Sequence, residues 1–187
     1  EDIQRESGSA VVDIGATTTN LVVVEEDDIQ HVAVLPVGSA HITNDLAIGL
    51  KTDLGVADLV KLKHVNLLEE NKASRKIKVD YRNESYFFDR DDTHSIVTAR
   101  LAELFELINE ELDKVDRKNK LPGGAVLVGG GSLLPGIEEI AKKVLGLPAQ
   151  IGTTHNYSGI VDVVQSPRYA TAVGLMLLDM RMRDSVE

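Results

Sequence analysis

VVDIGATTTNLVVV (residues 11–24) is an apolar run that enters Asp-Ile-Gly, turns through Ala16 and three threonines, and returns at once to an apolar run. Two apolar runs around so short a turn predict adjacent strands. HVAVLPV (residues 31–37), beyond the acidic turn at residues 25–28, adds a third, so the chain opens on a three-stranded meander.

Outward from that meander the periodicity changes. Ile42, Leu46 and Leu50 recur at helical spacing after Gly38, and a second helix after Thr52 carries Leu54, Ala57, Val60 and Leu62. From about Asn66 to Asp92 the chain is polar, with one alternating run, KIKVDY, a turn at Arg82–Glu84 and an aromatic run, YFF; this reads as a hairpin in a small insert. A long helix follows, on which Val97, Leu101, Leu104, Phe105, Ile108 and Leu112 form one apolar stripe while Arg100, Glu103 and Glu110 lie opposite. The link DRKNKLPGG leads to a strand, AVLV, then GGGS and a helix from about Pro135 to Leu145, acidic in its first turn, basic near its end and stopped by Gly146. A short strand, AQIG, and a last helix opened by Ser166 and Pro167 complete the order. A meander continued by β-α-β units predicts a mixed α/β sheet with helices on its faces, its ligands at the carboxyl ends of the strands.

The bulk numbers bound the function. The 187 residues are 43% hydrophobic, enough for a sizeable core. A net charge of −10, from 30 acidic and 20 basic side chains, argues against a surface that tracks nucleic-acid phosphates or a polybasic membrane face. Cysteine is absent, which excludes disulfides and thiolate chemistry and suits a reducing cytosol. No signal-peptide pattern and no run long enough to cross a bilayer is present, and the chain reads as a soluble piece of something longer.

Two strand ends carry glycine turns, residues 13–20 (DIGATTTN) and 129–132 (GGGS). Glycine lets backbone amides approach a ligand, threonine hydroxyls add donors, and an Asp at a strand end can orient water or hydrated Mg²⁺. Singly, the first equally fits a tight hairpin and the second a plain strand-to-helix turn. Together, at the ends of the first and fourth core strands, they predict one crevice.

The two turns, AVLVGGGSLLPGI and the order of elements between them resemble the second half of the actin, heat-shock-chaperone and sugar-kinase ATPase superfamily. Within it, residues 11–50, VADLVKLKH and the late stretch IGTTHNYSGIVDVVQSPRYATAVGLMLL resemble the bacterial cell-division actin homologue FtsA. The resemblance implies an actin/ribonuclease-H-like fold and a cytoplasmic, nucleotide-binding protein of the division machinery. It implies ATP with Mg²⁺ as cofactors: Asp13 near the metal and water, Gly15, Ala16, Thr17 and Thr18 along the β- and γ-phosphates, Asn20 just past them, and Gly129, Gly130, Gly131 and Ser132 on the adenosine. Asp58 and Lys61, three apart on one helix face, fall where the family contacts ribose and adenine; by spacing alone they are equally a solvated charge pair. Chaperone-like relatives have Asp where this chain has Asn20, and glycine where it has Ala16. Both departures point to weak hydrolysis in the parent protein and no catalysis by this piece, since the other phosphate loop belongs to an amino-terminal half.

The resemblance also divides the chain: residues 1–62 and 118–187 as the actin-like body, residues 63–117 as an inserted α+β subdomain. In the family that insert receives the tail peptide of FtsZ, and its helix arginine and glutamate map to Arg100 and Glu103. Self-association into filaments, other division proteins as partners, and tethering to the inner membrane face through an amphipathic segment beyond Glu187 are implied for the parent protein. The related pilus-assembly actin homologue, which shares the DIGATTTN turn, and a sugar-kinase-type phosphotransferase are the alternatives.

Overall fold

The computed structural model describes residues 5–68, 75–153 and 165–184. Its main sheet has five strands: β1 (Ser9–Ile14), β2 (Thr19–Glu25), β3 (Asp28–Leu35), β6 (Ala125–Val128) and β7 (Ala149–Ile151), in the order β3-β2-β1-β6-β7. The meander is antiparallel and β6 and β7 add in parallel, so the sheet is mixed, as the strand order predicted. Alternation decides which face is buried: Ala10, Val12 and Ile14 on β1 and Leu21 and Val23 on β2 are at most 1% exposed, whereas Val32 and Val34 on β3 face outward at 58% and 64%.

The helices α1 (Ser39–Gly49), α2 (Leu54–His64), α3 (Arg90–Lys114), α4 (Ile137–Leu145) and α5 (Ala170–Asp184) follow the predicted order. Asp53 caps α2 through the Val56 amide at 3.0 Å. On α2, Ala57 and Val60 of the expected stripe are buried, but Leu54 and Leu62 are exposed and Val56 takes a place in the buried face instead. The six apolar residues of the α3 stripe are all buried, against α1 and α4; inside that layer Asn109 donates Nδ2–H to the Val144 carbonyl at 2.8 Å. Each such buried leucine or phenylalanine contributes about 2 kcal/mol of transfer free energy.

Residues 76–89 form a separate two-stranded hairpin of β4 (Lys76–Tyr81) and β5 (Glu84–Asp89), turning through Arg82 and Asn83, both at positive φ. The hairpin docks on α2 where Gly55 lies against the Tyr81 ring; a side chain at 55 would collide with it. Two helix starts differ from the sequence reading. Helix α4 begins at Ile137 rather than Pro135, because Gly136 takes a left-handed turn (φ +84) against Leu67 and Leu68. The last helix is preceded by a 3₁₀ turn, Pro167–Tyr169, and the Ser166 side chain makes no cap. Residues 69–74 and the middle of the late stretch, 154–164, lie outside the described residues.

The carboxyl end of α2 sets one pH response. Burial, then the charges of Arg90 and Lys63, hold the His64 imidazole below its ordinary pKa of 6.5. In the unfolded chain His64 takes its proton near 6.5, so as pH falls the unfolded state binds more protons and stability declines. Thermal melts from pH 7.5 to 5 are expected to show this loss in the parent and a shallower one in His64→Gln. Equal slopes would mean that other groups set the response. A second loss belongs to Glu111, whose carboxyl is held below the ordinary 4.5 by hydrogen bonds from Lys114 and His31; that contribution persists above 4.5 and disappears only in stronger acid.

Candidate functional site

Strands β1 and β6 run side by side in parallel with Asp13 opposite Val128, so the turns that follow them emerge together. Gly129 has φ +84, and a Cβ there would strike the Asp13 carboxylate and the Ile14 carbonyl; one on Gly131 would strike the Ile14 side chain. Backbone and strand end are therefore in contact. Gly130 is different: it is exposed, and nothing lies within 4 Å of where its Cβ would be. Residues 130–133 wind into a 3₁₀ turn, closed by the buried Ser132 hydroxyl donating to the Gly129 carbonyl at 2.8 Å. Of the four residues expected along one wall, Gly129, Gly131 and Ser132 build the turn and Gly130 faces open space.

The first turn is built with similar economy. The Gly15 amide donates to the Thr18 carbonyl at 2.9 Å, and the buried Thr19 hydroxyl ties the turn to the Val37 carbonyl at 2.8 Å. Ala16, Thr17, Thr18 and Asn20 are exposed. Gly38 is pressed on the Ala16 carbonyl, and the first amides of α1, from Ser39 and Ala40, donate to the Gly15 and Ala16 carbonyls at 2.9 and 2.8 Å. Asp13 is half-buried, and its Oδ2 accepts the Thr171 hydroxyl at 2.6 Å from the first turn of α5. The Gly129 amide donates to the Pro167 carbonyl at 2.9 Å. Thr171 and Pro167 thus join the two turns, an association that separations of 158 and 38 residues hide from any local pattern.

Of the Asp58–Lys61 pair only the lysine is buried; the Asp58 side chain is 48% exposed. Lys61 Nζ is 3.0 Å from Asp58 Oδ1 and 2.6 Å from Oγ1 of buried Thr43 on α1, and its side chain is only 11% exposed. Thr43, which sequence reasoning missed, is found by following the lysine across the α1–α2 contact.

Arg100 and Glu103 do pair, at 2.7 Å, but Arg100 has a second and stronger partner. Its Nε and Nη2 donate to Oδ2 and Oδ1 of Asp45 on α1 at 2.5 and 2.9 Å, a bidentate bridge in which both side chains are about one quarter exposed. Donating these hydrogen bonds to Asp45 raises the Arg100 pKa above its ordinary value. One edge of the Arg100 guanidinium therefore belongs to Asp45, a partner that spacing along the sequence does not reveal. The reason is that α3 packs on α1, placing together residues 55 positions apart.

The fold as a whole superposes on those of actin-like proteins. MreB5 of Spiroplasma citri bound to ADP superposes with a TM-score of 0.76 at 16% identity, covering 100% of this chain and 57% of that one. The type IV pilus biogenesis complex PilM–PilN superposes at 0.66 and 22% identity, covering 94% and 46%. The chain has the actin-like ATPase fold. In sequence, residues 10–174 match the family described as cell division protein FtsA. The Pseudomonas aeruginosa FtsA is 32% identical over 181 residues, covering 95% of this chain and 43% of that protein; the Bacillus subtilis FtsA is 32% identical over 177 residues, covering 92% and 39%. This chain belongs to the FtsA family, and it spans about two fifths of the length of these relatives.

Proposed function

We propose that the chain is the second actin-like half of a cell-division protein, that it supplies one wall of an ATP–Mg²⁺ site, and that its inserted part binds the tail peptide of FtsZ. The observation that carries the nucleotide reading is the contact of Gly129 and Gly131 with Asp13 and Ile14, where the ends of β1 and β6 meet, with Gly130 open on one turn and Ala16, Thr17 and Thr18 exposed on the other. These residues fit the group: backbone and hydroxyl donors suit phosphates, and a small, open wall suits the adenosine. Gly15 through Thr18 would hold phosphates, Asn20 would lie at their far edge, Gly129 through Ser132 would support the adenosine, and Asp58 and Lys61 would meet ribose and adenine. Among the described residues no three His, Asp or Glu converge as a metal cage. Asp13 would meet Mg²⁺ through water, as a cation held chiefly by phosphate oxygens allows. When bound, the ion would neutralise phosphate charge; Thr171 fixes the direction in which Asp13 points.

On this reading residues 63–117 are the insert, with the hairpin as its outer part and α3 shared with the body. Membership of the family supports FtsZ recruitment at the division site, filament formation by the whole protein and its location on the inner membrane face through another segment. Among the described residues no helix is long and apolar enough to cross a membrane.

The test of the partner is a titration with the FtsZ tail peptide of the same organism. Arg100→Glu is expected to weaken it well over tenfold, because a charged contact is replaced by a repulsive one. It should also lower the melting temperature, since the new carboxylate would face Asp45. The overall charge of −10 makes long-range attraction of an acidic peptide unfavourable, so binding should be local and only moderately salt-sensitive. Parental affinity in Arg100→Glu, or no binding by the parent, would reject the groove.

A further inference from the structure

Helix α1 is tied at successive levels. At its start the Ser39 and Ala40 amides are bonded to the phosphate-type turn. In its second turn Thr43 receives the Lys61 ammonium at 2.6 Å. Two residues on, Asp45 grips Arg100 by Nε and Nη2. At its end Gly49 lies against the Ile96 side chain of α3, which a Cβ there would have to displace. Asp45 is therefore carried on a helix whose position is set along its whole length.

An arginine has five N–H donors in one plane. Asp45 takes two and Glu103 one, the latter from Nη1 at 2.7 Å, leaving two for another acceptor. A guanidinium on a flexible stem, held by Glu103 alone, could turn about its terminal bonds; held along its Nε–Nη2 edge by a carboxylate on a second helix, it cannot. We propose that Asp45 is the positioning residue for partner recognition: by engaging one edge of Arg100 it aims the remaining N–H groups, beside Glu103, at a carboxylate of an acidic peptide. This inference rests on the reading of Arg100 and Glu103 as a peptide groove. Asp45 does not touch the peptide; it acts by removing the cost of ordering Arg100 on binding.

The experiment is a fluorescence-anisotropy titration of this chain with the labelled FtsZ tail peptide, for the parent, Asp45→Asn, Arg100→Ala and the double variant, with melting curves for each. Asp45→Asn is expected to weaken binding about tenfold, and in the Arg100→Ala background to add less than twofold, because Asp45 has no function without its arginine. The Arg100 Nε–H resonance should be protected from exchange in the parent and lost in Asp45→Asn. Should Asp45→Asn fail to fold, Asp45→Glu, which keeps the charge but displaces the bidentate edge, should give a loss between those of parent and Arg100→Ala. Parental affinity in Asp45→Asn or Asp45→Glu beside a weakened Arg100→Ala would overturn the positioning role and leave the groove standing. Parental affinity in Arg100→Ala would overturn the groove and this inference with it. Independent, additive losses would show Asp45 acting through something other than Arg100.

Discussion

Valine placed in turn at Gly129, Gly130 and Gly131 is expected to give two opposite results at adjacent positions. At Gly129 a β-branched residue must adopt φ +84 and drive its Cβ into Asp13 and the Ile14 carbonyl. Backbone strain of about 1–3 kcal/mol and overpacking of about 1–3 kcal/mol combine, so a loss of roughly 4 kcal/mol is expected, a large share of a domain's stability. Gly131→Val meets the Ile14 side chain and should lose the overpacking part alone. Gly130→Val meets nothing and should melt within about 0.5 kcal/mol of the parent. In the full-length protein, however, Gly130→Val should abolish nucleotide binding, because it fills the only open wall among the three. Melting curves and calorimetric nucleotide titrations make the comparison. If Gly130→Val binds nucleotide normally, GGGS is a strand-to-helix turn and nothing more.

Replacing Lys61 separates a packing role from a recognition role. Its ammonium lies between Asp58 and buried Thr43, and Thr43 Oγ1 is itself 3.3 Å from Asp58 Oδ1, so the hydroxyl keeps a partner when the lysine is lost. Lys61→Ala is therefore expected to cost about 1–2 kcal/mol, lowering the melting temperature by roughly 2–8 °C for a chain of this size. In the full-length protein the same variant should weaken adenine-nucleotide binding about tenfold. Lys61→Met keeps the volume of the stem, so it should recover the packing part of the loss but neither the part carried by the ammonium's contacts nor any of the affinity. Should both variants bind nucleotide as the parent does, α2 lies off the nucleotide wall and Lys61 serves the α1–α2 contact only.

The elements themselves were legible because each is written in a local period. The apolar runs around residues 11–24 become β1 and β2 and the stripe from Val97 to Leu112 a buried helix face, while β3, expected over 31–37, runs from Asp28 to Leu35. The abutting glycine turns were legible too, once strand order placed the first and fourth core strands together. What local pattern misjudged lies at ends and faces: the start of α4, which depends on Gly136 passing Leu67 and Leu68, and the exposure of Leu54 and Leu62, which depends on which side of α2 meets the body.

The chemistry of the charged residues is where sequence and structure part. The sequence by itself determined the fold class, the presence of two glycine turns at adjacent strand ends and the family, since these rest on periodicity, glycine placement and long continuous likeness. Only the tertiary structure decided that Asp45 holds Arg100, that Thr43 holds Lys61, that Thr171 holds Asp13, and that of three consecutive glycines only Gly130 is open. Three of these partners lie on another element, at separations of 18 to 158 residues. A hydrogen bond reaches about 3 Å and carries no period along the chain, so helix packing, and not spacing in the sequence, chooses which donor meets which acceptor.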